Sequence, residues 1–193
     1  MSLVGWTVAT SAIDAARHLV TTFHYSRSVP NTATYCHGLF DALGVQAGAA
    51  IWIPPTRAAA ETVAGDEWRR VLCLSRLVVT PDAPKNAASF LLGRSMKAID
   101  RQRWPWLLTY ADTRLGHTGA IYLATNWTRI GEVPAGDVWV HDRTGAQRGR
   151  KRGQRTLLAR EMVDLGFVRM ASMPKIKFVH YIAPPVTSTR ETP

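Results

Sequence analysis

Short apolar runs, broken by proline, glycine and charged residues, recur along this chain at spacings that predict a sheet with a few interleaved helices. Residues 2–9 (SLVGWTVA) read as an opening strand. Ser11 is placed to cap a helix over 12–22, whose stripe is Ile13, Ala16, Leu19, Val20 and Phe23. TYCHGLFDA and GAAIWIP, with Leu43, Gly44, Val45 and Gln46 between them, predict an antiparallel pair. Residues 54–66 are irregular or partly helical. WRRVLCLSRLVVT (68–80) is the longest strand candidate and belongs at the centre of the sheet. A helix over 87–101 follows, with Phe90, Leu91, Met96 and Ile99 as its apolar stripe.

The chain is organised around residues 106–127, WLLTYADTRLGHTGAIYLATNW. The run ending at Asp112 reads as a buried strand that delivers a carboxylate to its C-terminal end. A turn at 114–116 leads into a small-residue helix, on which Gly119, Tyr122 and Asn126 share one face and Leu123 and Trp127 another. This spacing predicts Asp112, His117, Tyr122 and Asn126 around one cleft at a strand-to-helix junction. It is also compatible with Tyr122 and Asn126 packing or capping and His117 lying in a loop. Strands over 128–133 and 137–142 follow, split by Pro134, Ala135 and Gly136. A helix over 154–165 stops at Gly166, and 167–170 and 175–182 close the sheet, with Ile176, Phe178, His180 and Ile182 on one face. We expect one domain over 1–183 and a disordered tail over 184–193; no internal repeat is visible.

Two further stretches bear candidate chemistry. His24 and Tyr25 follow a helix end, where histidine either lines a cleft and moves a proton or satisfies helix carbonyls. The loop PDAPKN opens a helix, so its first amides and dipole form an anion site, to which Lys85, Ser89 and Arg94 add side chains; a pyrophosphate and a simply capped helix both fit this pattern.

Composition changes the picture through charge. The chain has 24 Lys+Arg against 14 Asp+Glu, a net charge of +10. Arg143, Arg148, Arg150, Lys151, Arg152, Arg155 and Arg160 carry seven of those ten charges, with no acid after Arg143 and before Arg160. A stripe of this kind suits a polyanion, because each phosphate neutralised releases counterions. No apolar run approaches the roughly eighteen residues of a membrane span, and residues 1–20 lack a secretion pattern. Cys36 and Cys73 form no disulfide framework or thiolate zinc site. The six histidines (18, 24, 37, 117, 141 and 180) show no metal-ligand spacing. A cytoplasmic protein is expected.

The order of elements resembles the GNAT superfamily of N-acetyltransferases, an α/β fold with a central mixed, mostly antiparallel twisted sheet flanked by helices. The loop APKNAAS stands where that superfamily carries a glycine-rich pyrophosphate loop. More narrowly, His24-Tyr25-Ser26, LSRLVV (74–79), PKNAAS (84–89), Tyr110-Ala111-Asp112, GHTGAIYLATN (116–126) and Met173-Pro174-Lys175 resemble the phage Mom family over roughly residues 20–182. Two departures stand out: Thr109 replaces an expected serine, and Ile176-Lys177 interrupt a basic run after Pro174-Lys175.

The resemblance implies an enzyme that places a carbamoylmethyl group on the exocyclic N6 amine of adenine in phage DNA, so that host restriction fails. It puts functional weight on His24, Tyr25, Asp112 and Tyr122. Asp112 or His24 is the candidate base, Tyr122 the candidate acid, and Tyr25 and Trp127 candidates to stack on a base. Val79, Lys85, Asn86, Ser89 and Asn126 are the candidate contacts of acetyl-CoA or another acyl donor. Arg148, Arg150, Lys151, Arg152, Arg155 and Lys175 would contact double-stranded or locally opened DNA. No membrane partner is expected, no metal residue is assigned, and an iron requirement and the oligomeric state stay open. Two other functions fit the same features: a GNAT-type N-acetyltransferase acting on a small-molecule or protein amine, and a non-catalytic basic DNA-binding protein.

Overall fold

A computed structural model describes residues 3–134, 137–171 and 173–182. The elements in chain order begin with β1 (Thr7–Thr10), α1 (Ile13–Phe23), β2 (Tyr35–Phe40), β3 (Gln46–Ile53) and α2 (Arg57–Ala64). A 3-10 turn then leads into β4 (Val71–Val79), α3 (Ala87–Ala98) and β5 (Trp106–Asp112). After a second 3-10 turn come α4 (Ala120–Leu123), β6 (Thr128–Val133), β7 (Val138–His141), β8 (Gln147–Arg148), β9 (Lys151–Arg152) and β10 (Arg155–Thr156). The chain closes with α5 (Ala159–Asp164), β11 (Phe167–Met170) and β12 (Lys175–Tyr181). The tail expected over 184–193 and the break at Ala135 and Gly136 lie outside the described residues.

Seven strands form the main sheet in the order β1-β2-β3-β4-β5-β12-β6. The longest run, β4, does sit at its middle. Every neighbouring pair is antiparallel except β4 and β5, and α1 and α3 cover opposite faces. Against α1 lie Cys36, Ala49, Ile51 and Val78, which enclose Ala16, Leu19 and Val20. Against α3 lie Leu39, Trp52, Leu72 and Leu107, packed on Leu91, Leu92 and Met96. The strands β2, β3 and β4 therefore bury side chains into two different cores, which explains why their sequences read as nearly continuous apolar runs. Ser95, fully buried, takes a hydrogen bond from Trp52 Nε1 at 2.7 Å and lies 2.7 Å from His37 Nδ1, so the α3 core carries a paired polar group.

β4 and β5 stay paired only from Val71 opposite Trp106 to Cys73 opposite Leu108. At the next residue but one β4 is irregular: Trp52 faces Leu74 and Ile51 faces Arg76, which leaves Ser75 as an extra residue. Such a bulge bends and twists its strand, and beyond it the two parallel strands separate.

Several local expectations give way to the structure. Ala12, not Ser11, precedes α1, because the Ser11 hydroxyl is turned to the Ala12 carbonyl and to Gln46. The helix expected over 154–165 starts only at Ala159, since Gly153 takes φ +56 and turns β9 back on β10. β11 joins β7 and β8 in a separate three-stranded sheet. Trp139, Met162 and Phe167 form its own small core, with Leu157 against it. Among the described residues no helix is long and apolar enough to cross a membrane.

Candidate functional site

The separation of β4 from β5 opens a cleft of about 530 Å³, within the range of small-molecule sites. One wall is Leu74, Ser75, Leu77, Val78 and Val79 of β4, another Thr109, Tyr110 and Ala111 of β5. Ala88 of α3, the segment 116–122 and Phe23, His24 and Tyr25 complete it. The helix expected through Asn126 is a single turn, α4. It begins at Gly119, whose φ of +79 and distance from Phe178 require glycine: an added Cβ would lie 2.2 Å from the Phe178 ring. That close approach lays Tyr122 against Phe178 and Trp127, with ring centroids 5.2 and 5.7 Å away.

A second hollow, of about 630 Å³, adjoins the first and shares Tyr25 with it. Its lining is cationic: Arg27, Arg76, Arg148, Lys151, Arg152 and Lys175, against Asp112 and Asp137. Asp112 is 4% exposed. Its Oδ1 accepts the Arg114 amide at 3.2 Å, and its Oδ2 lies 3.6 Å from Lys175 Nζ. Arg114 reaches across to Gln147 at 2.8 Å, and the Thr113 hydroxyl donates to the Pro174 carbonyl at 2.6 Å. The loop after Asp112 is thereby pinned to both flanks of the groove.

The four residues expected around one cleft do not all meet there. His117 and Tyr122 line the cleft with His24, Asp112 lines the groove, and Tyr25 belongs to both. Tyr25 stacks on His24 with centroids 4.3 Å apart and takes the edge of His117 at 5.5 Å. Asn126 is exposed, takes φ +63 and lines neither hollow; its carbonyl accepts from His180 Nδ1 at 2.7 Å. Trp127 is 3% exposed and stacks on Trp52, so it is a core residue rather than a platform for a base.

Burial sets the protonation of the cleft. It pushes His24 down to about 4, helped by the nearby charges of Arg76 and His117, so the ring is neutral at pH 7. The Ser26 amide, which can only donate, points at His24 Nδ1 from 3.2 Å, and this puts the neutral ring's proton on Nε2. Burial also raises Tyr122, against an opposing hydrogen bond with Thr109, and raises Tyr25, where the charge of Asp112 adds to it. Both phenols therefore keep their protons at neutral pH. Cys73 is pushed up to about 12 by burial, which removes it as a thiolate nucleophile.

Of the candidate donor contacts, Val79 lines the cleft. Lys85, Asn86 and Ser89 surround the start of α3, next to the lining residue Ala88. Asn86 has φ +70, a left-handed conformation that asparagine tolerates. Ala87 donates to Pro84 and Phe90 to Asn86, leaving the amides of Ala88 and Ser89 with no backbone acceptor among the described residues. Of the cations, Arg148, Lys151, Arg152 and Lys175 line the groove. Arg155 pairs with Glu161, and Arg150 donates to the Leu157 carbonyl at 3.3 Å, so these two hold the β9–β10 hairpin. Arg76 and Arg27 enter the groove unannounced by the charge run; the visible signal was Ser75-Arg76, a polar pair inside an apolar strand. Among the described residues no three metal-binding side chains cluster.

Solved acetyltransferases share this architecture. A putative acetyltransferase from Salmonella typhimurium, solved with acetyl-CoA, superposes with a TM-score of 0.56 at 11% identity, over 92% of this chain and 94% of that one. Spermidine N-acetyltransferase from Vibrio cholerae, in complex with CoA and spermine, gives 0.52 at 8% identity over 92% and 96%. The fold is that of the GNAT acetyltransferases. In sequence, methylcarbamoylase mom of Escherichia phage Mu is 30% identical over 160 residues, 76% of this chain. That match spans 65% of the phage Mu protein. The Mom protein family model matches residues 5–185, which takes in all three sheets, the cleft and the groove: the chain belongs to the Mom protein family.

Proposed function

We propose that this protein is a transferase that modifies the exocyclic N6 amine of adenine in DNA, placing on it the carbamoylmethyl-type group that the family resemblance implies. One observation carries the reading: a neutral cleft opened by two diverging strands and a groove lined by six cations share a single wall, Tyr25. A donor and a polyanionic acceptor would then approach from opposite sides and meet there. A small amine substrate gives no reason for the cationic groove, and a purely DNA-binding protein gives none for the cleft.

The adenine amine is a weak nucleophile because its lone pair is delocalised into the ring. The enzyme must hold it in line, take a proton as the new bond forms, and return one to the leaving group. Asp112, on the groove side, is the acceptor of the amine proton. Tyr122, on the cleft side and held protonated by burial, is the donor to the leaving group. His24 is neutral with its proton on Nε2, which suits a hydrogen-bond donor better than a base. A base inside a duplex is out of reach, so the adenine must leave the stack, and the Tyr25 ring offers it a surface.

The residues present suit an acyl-CoA-type donor. Among the described residues β4 beyond Cys73 has no ladder partner on its β5 side, and the Ala88 and Ser89 amides at the start of α3 have no backbone acceptor, which leaves them available to phosphate oxygens. Such a donor would supply an acyl group and leave as its thiol. An aminoacetyl group is isomeric with carbamoylmethyl, so the atoms balance if the transferred group isomerises on N6, while the chain supplies the seat and both proton transfers. Nucleoside mass spectrometry of plasmid DNA from cells expressing the protein tests the whole reading. A new adenosine mass that disappears with Tyr122→Phe is expected. Unmodified DNA, with acetylation of a polyamine or aminoglycoside instead, would replace it with the small-amine function.

A further inference from the structure

Arg76 is held by the fold more fully than the other cations of the groove: Arg152, also partly exposed, is held through one nitrogen alone, on the Gly149 and Lys151 carbonyls. Arg76 follows the bulge at Ser75, which turns its side chain toward the groove while Leu77 and Val79 line the cleft. Its guanidinium is fixed by three hydrogen bonds: Nε to the Ser28 carbonyl at 2.7 Å, and Nη1 to the Ser75 carbonyl at 2.6 Å and the Ser75 hydroxyl at 3.1 Å. All three acceptors are neutral. The groove's two carboxylates are engaged elsewhere, Asp112 with Lys175 and Asp137 with Arg169. Nη2 has no hydrogen-bond partner among the described residues.

A half-buried guanidinium held rigid without a counter-charge is costly to the fold, since partial dehydration of a charge without its ion partner is unfavourable. The same arrangement makes a good anion receptor: the side chain loses little freedom on binding, and reduced solvent screening strengthens the attraction. Guanidinium suits phosphate oxygens in particular. Arg148 and Lys151, by contrast, are exposed and supply charge rather than a fixed position.

We propose that Arg76 is the seat for one backbone phosphate of the acceptor strand, fixing the nucleotide whose base reaches Tyr25. This rests on the DNA-modifying reading above. A phosphate of the donor is the other source of the same chemistry, but Arg76 opens on the groove, among Arg27, Arg148 and Lys175, and does not line the cleft.

The test uses an oligonucleotide with one adenine, in which each linkage in turn is a neutral methylphosphonate. Its binding to the wild type, Arg76→Gln and Arg76→Lys is measured, together with the KM for the donor. In the wild type one linkage beside the adenine should stand out, its replacement weakening binding about tenfold, as expected for one charge-assisted contact. Arg76→Gln should bind the unmodified strand about tenfold more weakly, ignore that linkage, and leave the donor KM unchanged. Arg76→Lys keeps the charge without the fork, so it should recover affinity but not the preference for one linkage. If Arg76→Gln fails to fold, the lysine variant still decides, because retention of the wild-type linkage preference would overturn the proposal. Equal losses at every linkage in the wild type, or a changed donor KM with unchanged DNA affinity, would also overturn it and leave the DNA reading standing. A wild-type protein that binds no DNA would remove both.

Discussion

The cleft between β4 and β5 is built by strands, whereas the groove beyond Tyr25 is built by loops, two-residue strands and long cationic side chains. The cleft's shape follows from one bulge and the loss of one ladder, so its walls belong to the main core. The groove takes its shape from pinned loops: Arg114 to Gln147, Thr113 to Pro174, Arg150 to Leu157 and Arg155 to Glu161. The difference suggests a division of labour, in which a rigid cavity governs reaction rate and a charged rim governs affinity. Substitutions on either side of Tyr25 should therefore fail in different ways.

The largest effect should come from the proton-transfer pair. Tyr122→Phe and Asp112→Asn should each slow modification by about 10²–10⁴-fold, the usual worth of a positioned acid or base, with DNA affinity within about twofold of wild type. Single-turnover assays beside anisotropy binding would measure both. Wild-type turnover in either variant would take that residue out of the mechanism.

Next in size is the wall itself. Gly119→Val combines a strained φ of +79 with a Cβ that would lie 2.2 Å from the Phe178 ring, and should cost about 3 kcal/mol in urea unfolding. If the fold tolerates it without loss, Phe178 is not what shapes the Tyr122 side of the cleft. On the other side, Arg148→Ala with Lys151→Ala and Arg152→Ala should leave unfolding within about 1 kcal/mol of wild type. The slope of log affinity against log salt should flatten by close to three units at most. An unchanged slope would mean that DNA does not follow the groove.

How much of this was legible in the sequence varies in the same way. Strands were legible wherever one residue run served two cores, as in VLCLSRLVV, and the central place of β4 followed from its length. The basic rim was legible as charge, because seven cations without an intervening acid need no fold to be noticed. What escaped depended on contacts distant in sequence. The α4 helix starts at Gly119 because only glycine can pass Phe178 there, and nothing local announces that. Asp112 and Tyr122 sit ten residues apart but face different hollows. Arg76 reads in the sequence as part of a strand, and only the bulge turns it outward; Arg150 and Arg155 stand in the charge run like their neighbours, and only the structure shows them engaged by Leu157 and Glu161.

The smallest expected effect concerns His24, in the wall beside Tyr25, whose burial holds it below its ordinary value. His24 is held at about 4 in the folded protein against roughly 6.5 in an unfolded chain. Above pH 6.5 neither state carries the proton, and the full stability is present. Between pH 6.5 and 4 the unfolded chain binds a proton that the folded one refuses, so stability falls as the pH falls; below about 4 the loss is complete. Allowing for partial exposure, it should amount to about 1–2 kcal/mol. His37 shifts in the same direction and adds its own slope, so the quantity to measure is the unfolding free energy of wild type minus that of His24→Gln, in which His37 cancels. That difference should shrink from pH 7 to pH 4. A flat difference would mean that His24 takes up a proton in the folded protein as readily as in the unfolded one, which would make it, rather than Asp112 across Tyr25, the better base for the adenine amine.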